Sequence, residues 1–152
     1  MRVGRPVAAP PQPLCDYCHA RAVLARFGES AYPYRDDHGA LWLCAPCGAW
    51  IGVRVRSTRH VPLGRLADAA LREAKARLHA ALEPLAQAKV RRDGVNPFEA
   101  RAKALRWAAG EAGLEGATHS LHSLSLEDCE RVIAQVEAFV AARSAAQSAK
   151  PA

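Results

Sequence analysis

Four cysteines in two short pairs are the residues of this chain best placed to do chemistry. Cys15 and Cys18 form the first pair, Cys44 and Cys47 form the second, and 25 residues lie between the pairs. Two residues between paired cysteines allow a tight turn to aim both sulfurs at one ion, and two such turns complete a tetrahedron. The spacing therefore predicts one Zn²⁺ ion held by these four side chains. Four thiolates leave no open position for water, so the predicted role of the ion is structural.

Two disulfides are the alternative use of the same cysteines, and they require an oxidising compartment. Residues 1–13 are rich in proline and contain no apolar core typical of a secretory signal. No stretch of the sequence has the length and apolar character of a transmembrane helix. We therefore predict a cytoplasmic protein whose thiols stay reduced and bind zinc.

Three histidines and the fifth cysteine are further candidate metal ligands, and the sequence favours a simpler role for each. His19 follows Cys18 and could replace a ligand, although a contact beside the site or exposure to solvent is expected instead. Cys129 lies among apolar residues at helical spacing, which indicates a buried core position. His119 and His122 lie in a loop, where a capping or packing role is expected.

Positive charge is concentrated in one part of the chain. The formal net charge is +6, and residues 54–92 hold ten Lys or Arg against three Asp or Glu. A basic segment beside a zinc module predicts contact with a polyanion, and nucleic acid is the partner we expect. The alternative is an ordinary solvated surface with internal salt bridges. The predicted phosphate contacts are Arg54, Arg56, Arg59, Arg65, Arg72 and Lys75.

Tryptophans offer a second kind of contact. Trp42 and Trp50 flank the second cysteine pair and could stack on bases, as aromatic side chains do in single-strand binding proteins. The alternative is that both pack against the metal site. Trp107 lies opposite the Phe98 stripe of a predicted helix, where it forms either a second packing surface or an exposed contact.

Short strand patterns surround the cysteine pairs. Apolar and β-branched residues predict strands at 22–27, 32–34, 41–43 and 49–55. Pro33 limits the second strand to the edge of a sheet. After Cys47 the residues alternate as in a strand, whereas a treble-clef module would begin a helix there. The pattern therefore favours a zinc ribbon, a small antiparallel sheet in which each cysteine pair occupies a tight turn.

Helical patterns follow the ribbon. The segment 66–83 is rich in Ala, Leu, Arg and Lys, and Pro84 is expected to end or kink this basic helix. A basic turn is predicted at 89–94. Asn96 and Pro97 are a cap and a first residue typical of a helix start.

The last predicted helix begins after Ser125, its expected cap, and continues to about residue 142. The patterns together predict an α+β protein, with an N-terminal four-cysteine zinc ribbon packed with three to four C-terminal helices. The predicted boundaries are a disordered arm at 1–13, the ribbon at 14–56, a helical part at 57–142 and a disordered tail at 143–152.

An enzymatic alternative depends on Asp37 and His38, which lie between the cysteine pairs. Zinc-stapled HNH nucleases use an internal Asp-His in this way, with the histidine as general base and the acid as a metal ligand. Five residues between His38 and Cys44 are too few for the usual intervening turn, and Gly48 stands where a metal-binding histidine is expected. The sequence therefore favours a protein without catalytic residues.

Three motifs carry a resemblance to a known family. They are Cys15-Asp16-Tyr17-Cys18, then Leu41-Trp42-Leu43-Cys44-Ala45-Pro46-Cys47-Gly48-Ala49, then Pro62-Leu63-Gly64-Arg65-Leu66-Ala67-Asp68. In this order they resemble a family of small bacterial and phage-associated proteins, which is named as a zinc-finger-containing domain of unknown function. The resemblance covers most of residues 14–140. It implies zinc at the four cysteines and no particular activity, and the phage association makes a DNA transaction an expectation.

We therefore predict a non-catalytic structural-zinc module that binds nucleic acid through the basic residues after the ribbon. A protein-interaction adaptor with a zinc-stabilised fold is the alternative. Neither a membrane nor a small-molecule substrate is expected as a partner.

Overall fold

The protein combines a small sheet with three helices, as a computed structural model that describes residues 12–114 and 121–148 shows. The chain divides after Asp68 into two compact units, here called the ribbon unit and the helical unit. The predicted α+β class is confirmed. The elements in chain order are β1 (Val23–Ala25), β2 (Leu41–Cys44), β3 (Ala49–Gly52), α1 (Ala69–Asp93), α2 (Pro97–Glu111), a 3₁₀ turn (Leu121–Ser123) and α3 (Leu126–Ser148).

The ribbon unit is an antiparallel sheet in the order β1-β2-β3. Trp42 lies opposite Ile51, and Cys44 lies opposite Ala49, in the register of β2 and β3. Trp42 and Ile51 are buried together with Leu66, which comes from the segment after the sheet. This core contains few large side chains, so burial alone contributes little to the stability of the unit.

The strand predicted at 32–34 is wrong. These residues form an irregular loop between β1 and β2. The Tyr32 hydroxyl accepts a hydrogen bond from the His38 backbone N–H and donates one to the Gly39 carbonyl, both at 2.8 Å. The Tyr32 side chain thus closes the loop through its hydroxyl, where an additional strand would have needed backbone pairing.

The segment 53–68 belongs to the ribbon unit, although the sequence suggested a boundary near residue 56. Val53 pairs with Pro62, and Trp50 pairs with Ala67, each as an isolated antiparallel bridge. The chain therefore leaves the sheet, turns back, and returns beside β3 before α1 begins. We call residues 53–62 of this excursion the arginine loop.

Helix α1 is longer than predicted. It begins at Ala69 and continues through Pro84 to Asp93, so the proline does not end it. A proline removes one helical hydrogen bond, and the buried side chains Leu82 and Ala86 on either side of it keep the helix packed. Gly94, which follows the last helical residue, has a φ of +69°. The turn predicted at 89–94 is therefore mostly the last turn of α1.

Helix α3 begins as predicted and ends later. The Ser125 hydroxyl accepts from the Asp128 N–H at 3.1 Å, and the Asp128 carboxylate accepts from the Ser125 N–H at 3.4 Å. This reciprocal capping box confirms the predicted start. Residues 143–148, expected in a disordered tail, continue the helix. The rest of that tail and residues 1–11 of the predicted arm lie outside the described residues.

Small apolar residues form much of the helical core, in which α1 packs against both α2 and α3. Cys129 is fully buried there, as predicted. His122 is half-buried, and burial together with the nearby Lys75 charge lowers its pKa. Phe98, expected on an apolar stripe, is exposed, and α2 packs instead through smaller residues such as Ala100 and Ala104.

Among the described residues, no helix has the length and apolar content needed to cross a bilayer.

Asn96 caps the N-terminus of α2, and its replacement measures how much this cap stabilises the helix. The Asn96 side-chain oxygen accepts a hydrogen bond from the Glu99 N–H at 2.8 Å, as the sequence predicted. Replacing Asn96 with Ala removes this acceptor, and we expect the helical unit to lose about 1 kcal/mol of unfolding free energy. Chemical denaturation followed by circular dichroism measures the loss. The variant Asn96→Ser restores a capping oxygen and should recover most of it, whereas equal losses in both variants would contradict a capping role.

Candidate metal centre

The four predicted cysteines converge at one point of the ribbon unit. The sulfur atoms of Cys15, Cys18, Cys44 and Cys47 all lie within 4.8 Å of one another. The Cys18 and Cys44 sulfurs are 3.5 Å apart. A tetrahedral ion with Zn–S bonds of about 2.3 Å needs sulfurs about 3.8 Å apart. The cluster therefore has the size of a four-thiolate metal site, and the structure holds its cysteines as thiols and not as disulfides.

The first cysteine pair lies in a tight turn closed by backbone hydrogen bonds. The Cys15 N–H donates to the Ala20 carbonyl at 2.8 Å, and the His19 N–H donates to the Cys15 carbonyl at 2.7 Å. His19 adopts a φ of +62°, in the left-handed region, and this conformation reverses the chain. His19 thus shapes the turn and lies outside the cluster of ligating side chains.

The second pair lies in the turn that joins β2 to β3. Cys44 is the last residue of β2, and Ala49 opposite it is the first of β3. Gly48 has a φ of +61°, and its N–H donates to the Ala45 carbonyl at 3.2 Å. A residue without a Cβ adopts this conformation at no steric cost. The register of β2 and β3 therefore fixes the position of Cys44. The turn that joins these two strands fixes the position of Cys47.

Electrostatics inside the cluster favour a bound cation. The Cys18 sulfur beside it, together with burial, raises the pKa of Cys47 to about 12. The Ala20 backbone N–H, followed by the neighbouring sulfurs, lowers the pKa of Cys18. Thiols this close cannot all ionise by themselves, because each thiolate opposes the next. A divalent metal ion removes this conflict by replacing their protons. The donor set and its spacing fit a metal ion.

Two residues inside the first turn connect the site to the end of the ribbon unit. The Tyr17 hydroxyl accepts from the Asp68 N–H at 3.3 Å. Asp16 forms an ion pair with Arg65 at 3.5 Å. Sequence reasoning assigned no role to Asp16 or Tyr17, and their only signal was that they lie between the two cysteines of a pair. These contacts hold residues 65–68, at the end of the ribbon unit, against the turn that carries Cys15 and Cys18.

The six predicted phosphate contacts are divided between the two units. Arg54, Arg56 and Arg59 are exposed in the arginine loop. Arg65 also belongs to the ribbon unit, where Asp16 neutralises part of its charge. Arg72 and Lys75 belong to α1, in the helical unit.

Two of the residues predicted to contact nucleic acid are buried. Lys75 is only 8% exposed, so its ammonium group is largely withdrawn from the surface. Trp42 is buried in the ribbon core, and its indole N–H donates to the His60 carbonyl at 2.7 Å. The expectation that Trp42 stacks on bases is therefore wrong, and the alternative of packing near the metal site holds. Trp50 is half-buried and donates to the Tyr34 hydroxyl at 2.9 Å.

Ion pairs reduce the positive surplus that the sequence count suggested for residues 54–92. Lys89 and Arg92 both contact the Asp93 carboxylate, and Arg77 pairs with Glu130 from outside the segment. Residues 53–62, the arginine loop, contain three arginines and no acidic residue. This loop is therefore a basic segment of the ribbon unit by composition.

The Asp-His pair considered for nuclease activity lies in the loop between β1 and β2. The Asp37 carboxylate accepts a hydrogen bond from the Gly39 N–H at 2.9 Å. The His38 ring packs against Tyr34, with the ring centroids 4.6 Å apart. Within the part of the chain that the structure describes, the four cysteines are the only group of three or more side chains placed to ligate a metal ion.

A comparison with known proteins agrees with the cysteine cluster. No curated protein and no solved structure matches the chain. The profile of one protein family, described as a zinc-finger-containing domain, matches residues 12–139 and so includes all four cysteines. The phage association that the resemblance implies stays a prediction. With most of its length covered, the chain is a member of the zinc-finger-containing domain family.

Proposed function

We propose that the chain is a non-catalytic module in which one structural Zn²⁺ ion holds the arginine loop in place to contact nucleic acid. The ion would be bound by Cys15, Cys18, Cys44 and Cys47, with no position left for a substrate or a reactive water. Reduced thiols are needed for this role, so the proposal assumes a reducing compartment such as the cytoplasm.

The observation that carries the proposal is the arginine loop itself. Arg54, Arg56 and Arg59 are exposed on a segment whose two ends, Val53 and Pro62, pair with each other directly after β3. Its backbone is ordered by hydrogen bonds from Arg54 N–H to the Val61 carbonyl at 2.8 Å and from Val61 N–H to the Ser57 hydroxyl at 3.0 Å. An ordered loop loses little conformational entropy when it binds a partner. Guanidinium groups also match the geometry of phosphate oxygens, so arginines on such a loop are well suited to contact nucleic acid.

Backbone strain marks the same loop. Arg56 and His60 adopt φ values of +63° and +54°. For residues with side chains this region costs about 1–3 kcal/mol each, and such strain persists mostly where surrounding contacts impose it, often at functional sites. Strain at two residues of one loop supports a functional role for it.

The charge of the ribbon unit also supports contact by this loop. Residues 12–68 contain seven basic and five acidic side chains. A zinc ion with four thiolates adds a net negative charge, which makes the unit nearly neutral overall. Three of its seven arginines lie within the loop, so a polyanion approaching this unit meets its strongest attraction there.

Reversing two loop charges tests the proposal. We expect Arg54→Glu/Arg56→Glu to abolish measurable binding of mixed-sequence DNA or RNA at moderate salt, because two attractive phosphate contacts become repulsive. For duplex DNA, the slope of the logarithm of the wild-type affinity against the logarithm of salt concentration should be about −2.7 if three phosphates are contacted. Fluorescence anisotropy of labelled oligonucleotides at graded salt measures both quantities. Zinc content should be unchanged in the variant.

Arg21→Glu/Arg106→Glu is the matched control, since it makes the same change of charge at exposed residues outside the arginine loop. We expect it to weaken binding only slightly. Equal losses in the two double variants would show a general charge effect and no arginine-loop site. Wild-type protein without salt-sensitive binding to any nucleic acid would favour the adaptor alternative. Metal-dependent cleavage that disappears in His38→Ala would replace the proposal with a nuclease.

A further inference from the structure

A groove in the helical unit is lined by residues from all three helices. It has a volume of about 460 Å³ and lies outside the ribbon and its arginine loop. Its floor is apolar and its rim is cationic, and each of the two features limits what could bind there. A pocket of this size with an apolar floor is typical of a binding site.

The floor consists of hydrocarbon and aromatic surface. Leu85 and Ala88 come from α1, Ala104 and Trp107 from α2, and Phe139 from α3. The Trp107 and Phe139 rings pack edge to face with centroids 4.7 Å apart. Trp107 is nevertheless 37% exposed. Small alanines beside two large rings leave a depression that apolar side chains of a partner can fill, which removes this surface from water.

The rim carries four cations from the three helices. Lys89 and Arg92 lie on α1, Lys103 on α2 and Arg143 on α3. Arg143 lies over the Phe139 ring at 5.7 Å from its centroid. Two carboxylates contact the other cations: Asp93 accepts from Lys89 at 2.9 Å and from Arg92 at 3.1 Å, and Glu99 accepts from Lys103 at 3.0 Å.

The rim therefore keeps a positive surplus, with four cations and two carboxylates. Arg92 and Lys103 remain 71% and 46% exposed in their pairs. Exposed ion pairs stabilise a protein only weakly, so carboxylates of a partner can join or replace these contacts at little cost. The groove thus attracts acidic groups at its edges and apolar groups at its floor.

We propose that this groove binds an acidic amphipathic helix of a partner protein, whose apolar residues fill the floor and whose Asp or Glu side chains meet the rim. Recognition of an amphipathic helix by an apolar groove is a recurrent mode of peptide binding. Nucleic acid fits the floor less well, because a base that enters it would bury its polar edges against a mainly apolar surface. Buried polar atoms without hydrogen-bond partners are costly.

Two synthetic peptides test the proposal with the full-length, zinc-loaded protein. Both carry the same leucines on one helical face, and the polar face carries glutamate in one peptide and lysine in the other. We expect the glutamate peptide to bind at least tenfold more tightly, since charges at a rim select partners by sign. Nuclear magnetic resonance of the Trp107 indole N–H, assigned with Trp107→Phe, should show that the glutamate peptide occupies the groove.

Charge reversal at the rim provides the second measurement. Lys103→Glu should weaken binding of the glutamate peptide about tenfold. Arg106→Glu is its matched control, because it lies on the same helix outside the groove and should leave the affinity unchanged. Equal affinity for the two peptides, or equal effects of the two variants, would overturn the proposal. A single-stranded oligonucleotide that shifts the Trp107 signal when the glutamate peptide does not would also overturn it, and this outcome is independent of binding at the arginine loop.

Discussion

Replacing Cys18 with Ser is expected to unfold the ribbon unit and leave the helical unit folded. Cys18 is the exposed member of the cluster, so its replacement removes a metal ligand without opening a cavity in the core. The ribbon unit has a small core of its own, and structural zinc sites of this kind supply folding free energy directly. Zinc bound per chain should fall from one equivalent to near zero.

The three tryptophans report on the two units separately. Trp42 and Trp50 belong to the ribbon, and Trp107 belongs to the helical unit. In Cys18→Ser, and in wild-type protein treated with a chelator, the first two indole resonances should move to unfolded positions while that of Trp107 persists. Cys129→Ala is the control, since it removes a cysteine that lies outside the cluster and should keep full zinc content. A chelated protein with native Trp42 and Trp50 resonances would show that the ribbon does not depend on the ion.

Replacing Leu78 with Ala should produce the largest loss of stability in the helical unit. Leu78 lies on α1 and is fully buried in the unit where that helix packs against α2 and α3. Truncation of such a side chain leaves a cavity and costs about 2–5 kcal/mol. Small domains have only about 5–15 kcal/mol in total. Chemical denaturation followed by circular dichroism should therefore show a clear fall in the midpoint.

Leu126→Ala makes the same chemical change at the first residue of α3, where the side chain is 42% exposed. We expect it to cost less than about 1 kcal/mol, because surface truncations leave no cavity. Zinc content and the ribbon indole resonances should be native in both variants. Similar midpoints for the two variants would mean that Leu78 does not belong to the cooperative core.

Features that depend on neighbouring residues were predictable from the sequence. The cysteine pairs have a fixed local spacing, and both of their turns are built from adjacent residues. The caps Asn96 and Ser125 were predictable for the same reason, since each bonds to a backbone group three residues away. Their geometry follows from side-chain chemistry and chain length within one turn.

Features that depend on distant contacts were not predictable in this way. Pro84 lies inside α1 because the helix is packed on both sides of it, whereas local propensity alone favours a break. Tyr32 closes a loop through its hydroxyl where alternating residues suggested a strand. Trp42 and Lys75, whose types are typical of nucleic-acid contacts, are buried.

The amino-acid sequence by itself determined that four thiols would meet, that strands would come before helices, and where two helices begin. Only the tertiary structure decided which cations face solvent, that the arginine loop belongs to the ribbon, and that a groove with a cationic rim lies among the helices. The physical reason is the distance along the chain over which each kind of interaction acts. Ligand spacing and capping act over a few residues, whereas burial and ion pairing depend on which distant side chains the fold brings together.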